Sequence, residues 1–305
     1  MDNVTHSLTG LVLAQAGLGR RSRGATAAAI VASNLPDIDI LFGLGGPASY
    51  LQHHRNISHS VLGAPLLALA LAAGLRATVR GSRFLGLLAA ALAGVAGHVL
   101  MDLWTSYGTR VLAPFDRTFY TWDLVFIVDP VILALLLIAA FLARRPALGA
   151  RMATVGLGLV LTYVGGRAVL HARAIDELMA RIPAVGVARV AALPSPVDPF
   201  AWRVLADTGP SYWTGRIVLG GAAEPLQRRD KLPETALVSR ARGSSEIAGI
   251  FLAFSTFPWL EVHETSEGTS VTWRDLRFER RGRDSFVTRV LVGNDGSIRS
   301  QAFHF

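Results

Sequence analysis

His53-His54-Arg55-Asn56-Ile57-Ser58-His59, joined about forty residues later by His98-Val99-Leu100-Met101-Asp102, is the stretch on which the reading of this chain turns. Both phrases lie in a half of the sequence that otherwise reads as membrane. Ionisable side chains are costly in or beside hydrocarbon, and they persist there mainly when paired, hydrated or bound to a metal. Five of the eight histidines (His6, His53, His54, His59 and His98) fall in the first hundred residues, interleaved with Asp37, Asp39 and Asp102. Imidazole mixed with carboxylate suits a cation of the zinc or manganese kind better than it suits a packed core.

Composition agrees with a membrane setting. Of 305 residues, 51% are hydrophobic and only 17% charged, which is unusual for a soluble enzyme. Residues 1–180 carry 14 Arg and 9 acids, whereas residues 181–305 carry 15 Arg, one Lys and 13 acids, so the second part is much the more charged. Neither half has the basic stripe of a nucleic-acid binder. Cysteine is absent, which removes disulfides, thiolate metal sites, iron–sulfur clusters and cysteine nucleophiles together. The acidic, polar start Met1-Asp2-Asn3-Val4-Thr5-His6 does not read as a cleavable signal peptide. The sequence contains no Gly-rich phosphate loop and no Gly-x-Ser-x-Gly elbow.

Four apolar segments approach or reach spanning length, at 61–75, 84–101, 124–143 and 152–170. Two more, at 7–19 and 25–42, are shorter or interrupted by Pro36 with Asp37 and Asp39. Arginine orients the set. Arg20, Arg21 and Arg23, then Arg76, Arg80 and Arg83, then Arg144, Arg145 and Arg151 occupy alternate connections that hold no acid. Positive residues stay cytoplasmic, so six transmembrane or re-entrant helices place both termini outside and gather the ligand-type residues at the outer helix ends. From residue 181 the character changes. Turn signals at 194–196, 207–210 and 293–296 separate strand-like pieces at 184–192, 200–206, 212–219, 269–278 and 286–292. The last pairs with 297–303 as a hairpin, and 245–257 reads as one amphipathic helix. The expected architecture is a mainly α membrane protein: a helical metal-site domain over 1–180, then a smaller α+β, mainly β, extramembrane domain over 181–305.

His98 and Asp102 are four apart in a helical stretch and face one side, a spacing shared by metal ligands and by buried His–Asp pairs. His54 and His59 sit at the mouth of the next helix, where Ser58 or Ser60 could cap. Asp37 and Asp39 follow Pro36, so one could bind metal while the other orients a histidine. Taken together, His6, Asp37, Asp39, His54, His59, His98 and Asp102 form the expected ligand set for one or two divalent ions, zinc in first place and manganese in second. Asp37 and Asp39 are the catalytic candidates as acceptors of a water's proton. Arg55 and Arg110, the outer-face guanidiniums nearest the motifs, could grip a phosphate or anchor at lipid headgroups. Asp129 either supports a ligand or marks the true start of its helix. His171, His263 and His304 show no ligand spacing.

In order along the chain come Asp2…Thr5-His6, Pro36-Asp37-Ile38-Asp39, His54-Arg55-Asn56-Ile57-Ser58-His59-Ser60, and His98-x-x-x-Asp102 with Tyr107-Gly108-Thr109. This ordered set, spanning about residues 1–145, resembles the bacterial YdjM/YfhP-type family of membrane-bound metal-dependent hydrolases. More distantly it is similar to the helical fold of zinc-dependent phospholipase C and P1 nuclease. That likeness implies a phosphoesterase site on helices, although a cluster of further His/Glu ligands after Asp102 is missing here.

The functional expectation is a multi-pass inner-membrane hydrolase acting on a phosphoester of a membrane lipid or lipid-linked molecule at the outer face, with no nucleic-acid partner. The competing expectation is a non-enzymatic membrane protein with a structural or regulatory metal and a partner-binding C-terminal domain. A transporter ranks third, because the ligands cluster at one face rather than through the bilayer.

Overall fold

Apolar, alanine-rich segments broken by proline and glycine produce helices of unequal length. The computed structural model describes residues 1–145, 148–183, 186–279 and 285–305. Asp2 caps α1 (Asn3–Gln15), its carboxylate accepting from the Val4 and Thr5 amides at 3.1 and 3.0 Å. After α2 (Ala25–Ala32) a 3-10 segment, Leu35–Gly45, carries Pro36, Asp37 and Asp39. The short α3 (Pro47–His53) and a turn at Ile57–His59 lead into α4 (Gly63–Thr78). Then come α5 (Phe84–Leu103), α6 (Pro130–Leu142) and α7 (Gly149–Arg181).

All six apolar segments are helical, but six spans are not found. Among the described residues, α5 and α7 alone are long and apolar enough to cross a membrane. Two bent pairs raise the number to four: Ala25–Ala32 with Leu35–Gly45, bent by 42°, and Pro47–His59 with Gly63–Thr78, bent by 71°. Length explains the difference. At 1.5 Å per residue the 13-residue α1 and α6 reach about 20 Å, against about 30 Å of hydrocarbon. The segment expected from residue 124 becomes helix only at Pro130. Asp129 is its cap, accepting from the Val131 and Ile132 amides at 3.0 and 3.1 Å.

Small residues bring the helices close. A Cβ on Gly94 of α5 would lie 2.7 Å from the Ala29 carbonyl oxygen and 2.8 Å from the Ala32 Cβ. One on Gly10 of α1 would also meet the Ala29 oxygen at 2.7 Å, so α2 is gripped from two sides through bare backbone. At the end of the bundle remote from the histidines, the Arg83 side chain donates to the Arg21 carbonyl at 2.6 Å.

α7 is the longest element and carries the chain out of the bundle. Arg167 pins it where it leaves, donating to the Leu124 carbonyl at 2.9 Å and to the Pro199 carbonyl, with its guanidinium over Trp202. Its last turns, through Ala174 and Leu178, pack on Trp202, Val204 and Ile217.

The C-terminal region is two four-stranded antiparallel meanders. The first is β1 (Arg189–Pro194), β2 (Ala201–Asp207), β3 (Ser211–Val218) and β4 (Gln227–Asp230). After α8 (Ala236–Ser244) and α9 (Glu246–Phe254) the second comprises β5 (Pro258–Thr265), β6 (Gly268–Asp275), β7 (Val287–Val292) and β8 (Ile298–His304). The strand expected from residue 184 begins at Arg189, with 184–185 outside the described residues. The expected final hairpin is β7–β8, and residues 245–257 contain α9. A third cluster, Ala191, Leu205 and Tyr212 with Phe257 and Leu276, joins the two sheets.

Candidate metal centre

His98 and Asp102 leave one face of α5 near its C-terminal end. His98 Nδ1 lies 2.7 Å from the Ser33 carbonyl oxygen, just past α2. A carbonyl only accepts, so Nδ1 carries the proton and the neutral ring presents a lone pair at Nε2. His59 is held in the same sense: its Nδ1 lies 2.9 Å from the Ser58 hydroxyl, which spends its own proton on Asp39 Oδ2 and so accepts from the ring, and 3.1 Å from Asp39 Oδ2 itself. The two Nε2 atoms therefore face each other at 3.0 Å, deep in the protein. Two lone pairs at that distance repel unless a proton or a metal cation stands between them.

Two carboxylates complete the arrangement. Asp102 Oδ2 is 3.4 Å from each Nε2, and Asp37 Oδ1 is 3.4 Å from that of His59 and 3.5 Å from that of His98. For ligand bonds of about 2.0–2.1 Å, the edges of a tetrahedron come to roughly 3.3–3.4 Å; the five edges that involve a histidine here run from 3.0 to 3.5 Å, and all four ligand atoms lie within 4.8 Å of one another. Asp37, His59, His98 and Asp102 thus fit a four-coordinate divalent ion. His6, fully buried, stacks on His98 with 3.9 Å between ring centroids and brings Nε2 to 3.4 Å from Asp102 Oδ1. Neither ring nitrogen of His6 has a hydrogen-bond partner among the described residues, nor has Asp102 Oδ2. Buried polar atoms left so cost about 1–3 kcal/mol each, and the unpartnered Asp102 Oδ2, facing both Nε2 atoms, fits a carboxylate that coordinates an ion.

Behind these atoms stands a supporting layer. Asp39 accepts from His54 Nδ1 at 2.7 Å, the Arg55 amide at 2.9 Å and the Ser58 hydroxyl at 2.7 Å, with His59 Nδ1 in charge contact at 3.1 Å, and so fixes the whole 54–59 loop. Arg55 adopts a left-handed backbone (φ 55°) and turns its guanidinium inward. It reaches Asp102 Oδ1 at 3.0 Å and the Thr105 hydroxyl at 3.2 Å, and it stacks over Tyr107. The Met1 amino group also contacts Asp102 Oδ1. A second group of candidate ligands, Asp37, Asp39 and His54, shares Asp37 with the first.

Of the residues expected at the site, His6, Asp37, Asp39, His54, His59, His98, Asp102 and Arg55 are brought together. Arg110 is not: its guanidinium lies over Phe119 at 4.2 Å and donates to the Gln52 carbonyl at 3.2 Å. His53 faces away, its Nδ1 2.9 Å from the Ser49 carbonyl and its ring stacked on Phe42. Ser33 and Tyr50 lay beyond the sequence argument, and Tyr107 entered it only within the ordered motif set, without a role at the site. Ser33 acts through a backbone carbonyl, which carries no side-chain signal. Tyr50 stacks on His54 at 4.5 Å, and Tyr107 meets the same ring edge-on at 5.5 Å. Burial pushes the Tyr107 hydroxyl above its ordinary range.

The C-terminal domain reaches the same place. Leu51 of α3 packs in one cluster with Phe251, Phe254 and Trp273. Arg277, buried and paired with Asp275 at 2.8 Å, donates to the Ser106 carbonyl at 3.1 Å. The candidate metal cluster and the C-terminal sheets therefore share one end of the helical bundle.

A profile of the YdjM inner membrane protein family matches residues 1–174, more than half of the chain and all of the cluster. The chain belongs to that family. In this YdjM-family chain a second profile, the YfhP C-terminal alpha/beta plait domain, matches residues 237–305, which hold α8, α9 and the second sheet. The chain is 28% identical over 288 residues to the uncharacterized protein YfhP of Bacillus subtilis (strain 168), an alignment covering 90% of this chain and 83% of that protein. No solved structure matches the chain.

Proposed function

We propose that this protein is a metal-dependent hydrolase of the inner membrane, acting at its outer face on a phosphoester of a lipid or lipid-linked molecule. The observation that carries the reading is the approach of His59 Nε2 and His98 Nε2 to 3.0 Å between two carboxylates. The donor chemistry favours catalysis, since structural zinc is commonly held by cysteine and catalytic zinc by histidine and carboxylate. A bound divalent ion, zinc before manganese, supplies hydroxide near neutral pH and polarises the scissile group. The chain's residues do the rest. Asp39 and the Ser33 carbonyl hold the two imidazoles in one tautomer, and Arg55 balances the charge of Asp102. Asp37, whose side chain alone in the tetrad is appreciably exposed, at 17%, marks the side of approach. The nine arginines of the alternate connections support an outer placement of the cluster.

A second reading, a structural ion, is favoured by the burial of His59, His98 and Asp102 and by four protein ligands that close the coordination. One experiment separates the two. Detergent-purified protein, prepared without chelator, is analysed for bound metal and assayed with zinc or manganese on phospholipids and lipid-linked phosphoesters, beside Asp102→Asn. Metal-dependent release of phosphate or headgroup, lost in the folded variant, supports the hydrolase. Full metal occupancy without turnover on phosphoester, carboxylester or amide substrates favours the structural ion. No bound metal after reconstitution overturns both.

A further inference from the structure

Next to the cluster opens a groove of about 370 Å³, within the range of small-ligand sites, roughly 300–1,000 Å³. Ile38, Leu41 and Phe42 of the 3-10 segment form one wall and Ile57 belongs to the other, while Asp39 and Ser58 supply its polar part. Those apolar side chains are about half exposed, and Leu44, two residues beyond Phe42, is 90% exposed. So much exposed apolar surface around one groove is out of place in water but natural against lipid, and Leu35–Gly45 belongs to a bent pair with the length and apolarity of a span.

The polar atoms of the groove indicate what it takes. Asp39 already accepts three hydrogen bonds, one of them from Ser58, and has His59 Nδ1 at 3.1 Å. Asn56 donates to the Gln52 carbonyl at 3.3 Å, and His53 Nδ1 is engaged by the Ser49 carbonyl. A peptide would bring its own amide and carbonyl groups against polar atoms that are already partnered, at a desolvation cost. A hydrocarbon chain brings none.

We propose that the groove seats one hydrocarbon chain of an amphiphilic membrane lipid, so that the bonds next to its polar head lie against the Asp37–Asp39 side of the cluster. That this lipid is the substrate rests on the hydrolase reading above; the seating of the chain does not. It gives Ile38, Leu41, Phe42 and Ile57 a role in choosing substrates by their chain.

The test uses the full-length protein in bilayer nanodiscs doped with phosphatidic acid carrying a photoactivatable diazirine on one acyl chain. Irradiation followed by peptide mapping is expected to label 38–42 and 57 more densely than Leu159 and Leu161, exposed apolar positions of α7 that report bulk lipid. Filling the groove from either wall, with Ile57→Trp or Leu41→Trp, is expected to reduce labelling of the remaining groove positions to the α7 level without changing α7. Groove labelling no denser than that of α7, or unmoved in both folded variants, overturns the proposal. Lipid hydrolysis that persists with a filled groove overturns the groove's role in choosing substrates while leaving the hydrolase standing. Labelling that behaves as expected beside a complete lack of hydrolysis keeps the groove as a lipid site and removes the hydrolase.

Discussion

Asp39→Asn separates holding a ligand from being one. Asp39 touches no atom of the His98–Asp102 pair, yet four donors converge on its two oxygens, among them Nδ1 of His59 at 3.1 Å. Asparagine keeps the shape but discards the charge and replaces one acceptor with a donor, so at least one of the His54 and His59 contacts is lost or reversed. Removing such a supporting carboxylate weakens metal binding about 10–100-fold, which at about 1.4 kcal/mol per decade is about 1.4–2.8 kcal/mol. The assay is zinc titration of detergent-purified protein against a competing chelator, with total bound zinc measured separately. Asp39→Asn is expected to bind the wild-type number of zinc ions at that reduced affinity, whereas Asp102→Asn and His98→Ala lower the number bound. Unchanged affinity, or a fall in stoichiometry matching that of Asp102→Asn, would refute the assignment of Asp39 to the supporting layer.

Three further outcomes follow from particular contacts. Gly94→Ala drives a methyl group into the Ala29 carbonyl and toward the Ser33 amide, 3.0 Å from the new Cβ; the expected overpacking cost is about 1–3 kcal/mol. Thermal unfolding should show the loss, and zinc affinity should fall with it because the Ser33 carbonyl moves, while Gly74→Ala, with open space at its Cβ, serves as the neutral or mildly stabilising control. Arg277→Met leaves the fully buried Asp275 without its guanidinium and is expected to cost about 3–5 kcal/mol, read as a lower unfolding midpoint; a change under 1 kcal/mol by that measure would be incompatible with a buried pair. Burial raises the carboxyl pKa of Asp123, whose Oδ1 lacks a hydrogen-bond partner among the described residues. The folded state then binds more protons than the unfolded one, so this group's contribution falls as pH rises from the ordinary carboxylate range, about 3.9, through the raised value. Asp123→Asn should therefore unfold at a higher temperature than wild type near neutrality, with the gain shrinking on acidification; a gain that grows on acidification would contradict it.

How far the sequence could be read depended on which atoms do the work. The ligand-type residues were legible because imidazole and carboxylate stand out against alanine and leucine, and the four-residue step from His98 to Asp102 fixes their common face. Helix lengths were less legible. Hydropathy runs through the loop before Pro130 and across the break at Pro36, so it counts apolar residues that never join a span. Asp129 showed the difficulty in miniature, since the same residue suits a buried partner and a helix cap. The hairpin β7–β8 announced itself through Asn294-Asp295-Gly296, whereas the four-residue β4, rich in arginine, had no alternating pattern to find. The contact between the second sheet and the site was beyond any local pattern: Arg277 meets Ser106 across 171 positions of sequence.

α7 runs for 33 residues without interruption, about 50 Å, where the hydrocarbon layer needs about 30 Å. Its C-terminal third lies in the hydrophobic core of the first sheet, so no hinge separates the candidate span from the part that the sheet holds. Such a strut converts membrane thickness into orientation. A thinner bilayer is accommodated by tilt, and a tilt of α7 must swing the sheets with it, against the tether of Arg277 to the loop that follows Asp102. The tilt of this candidate span and the geometry of the candidate metal ligands are thereby linked through the C-terminal sheets.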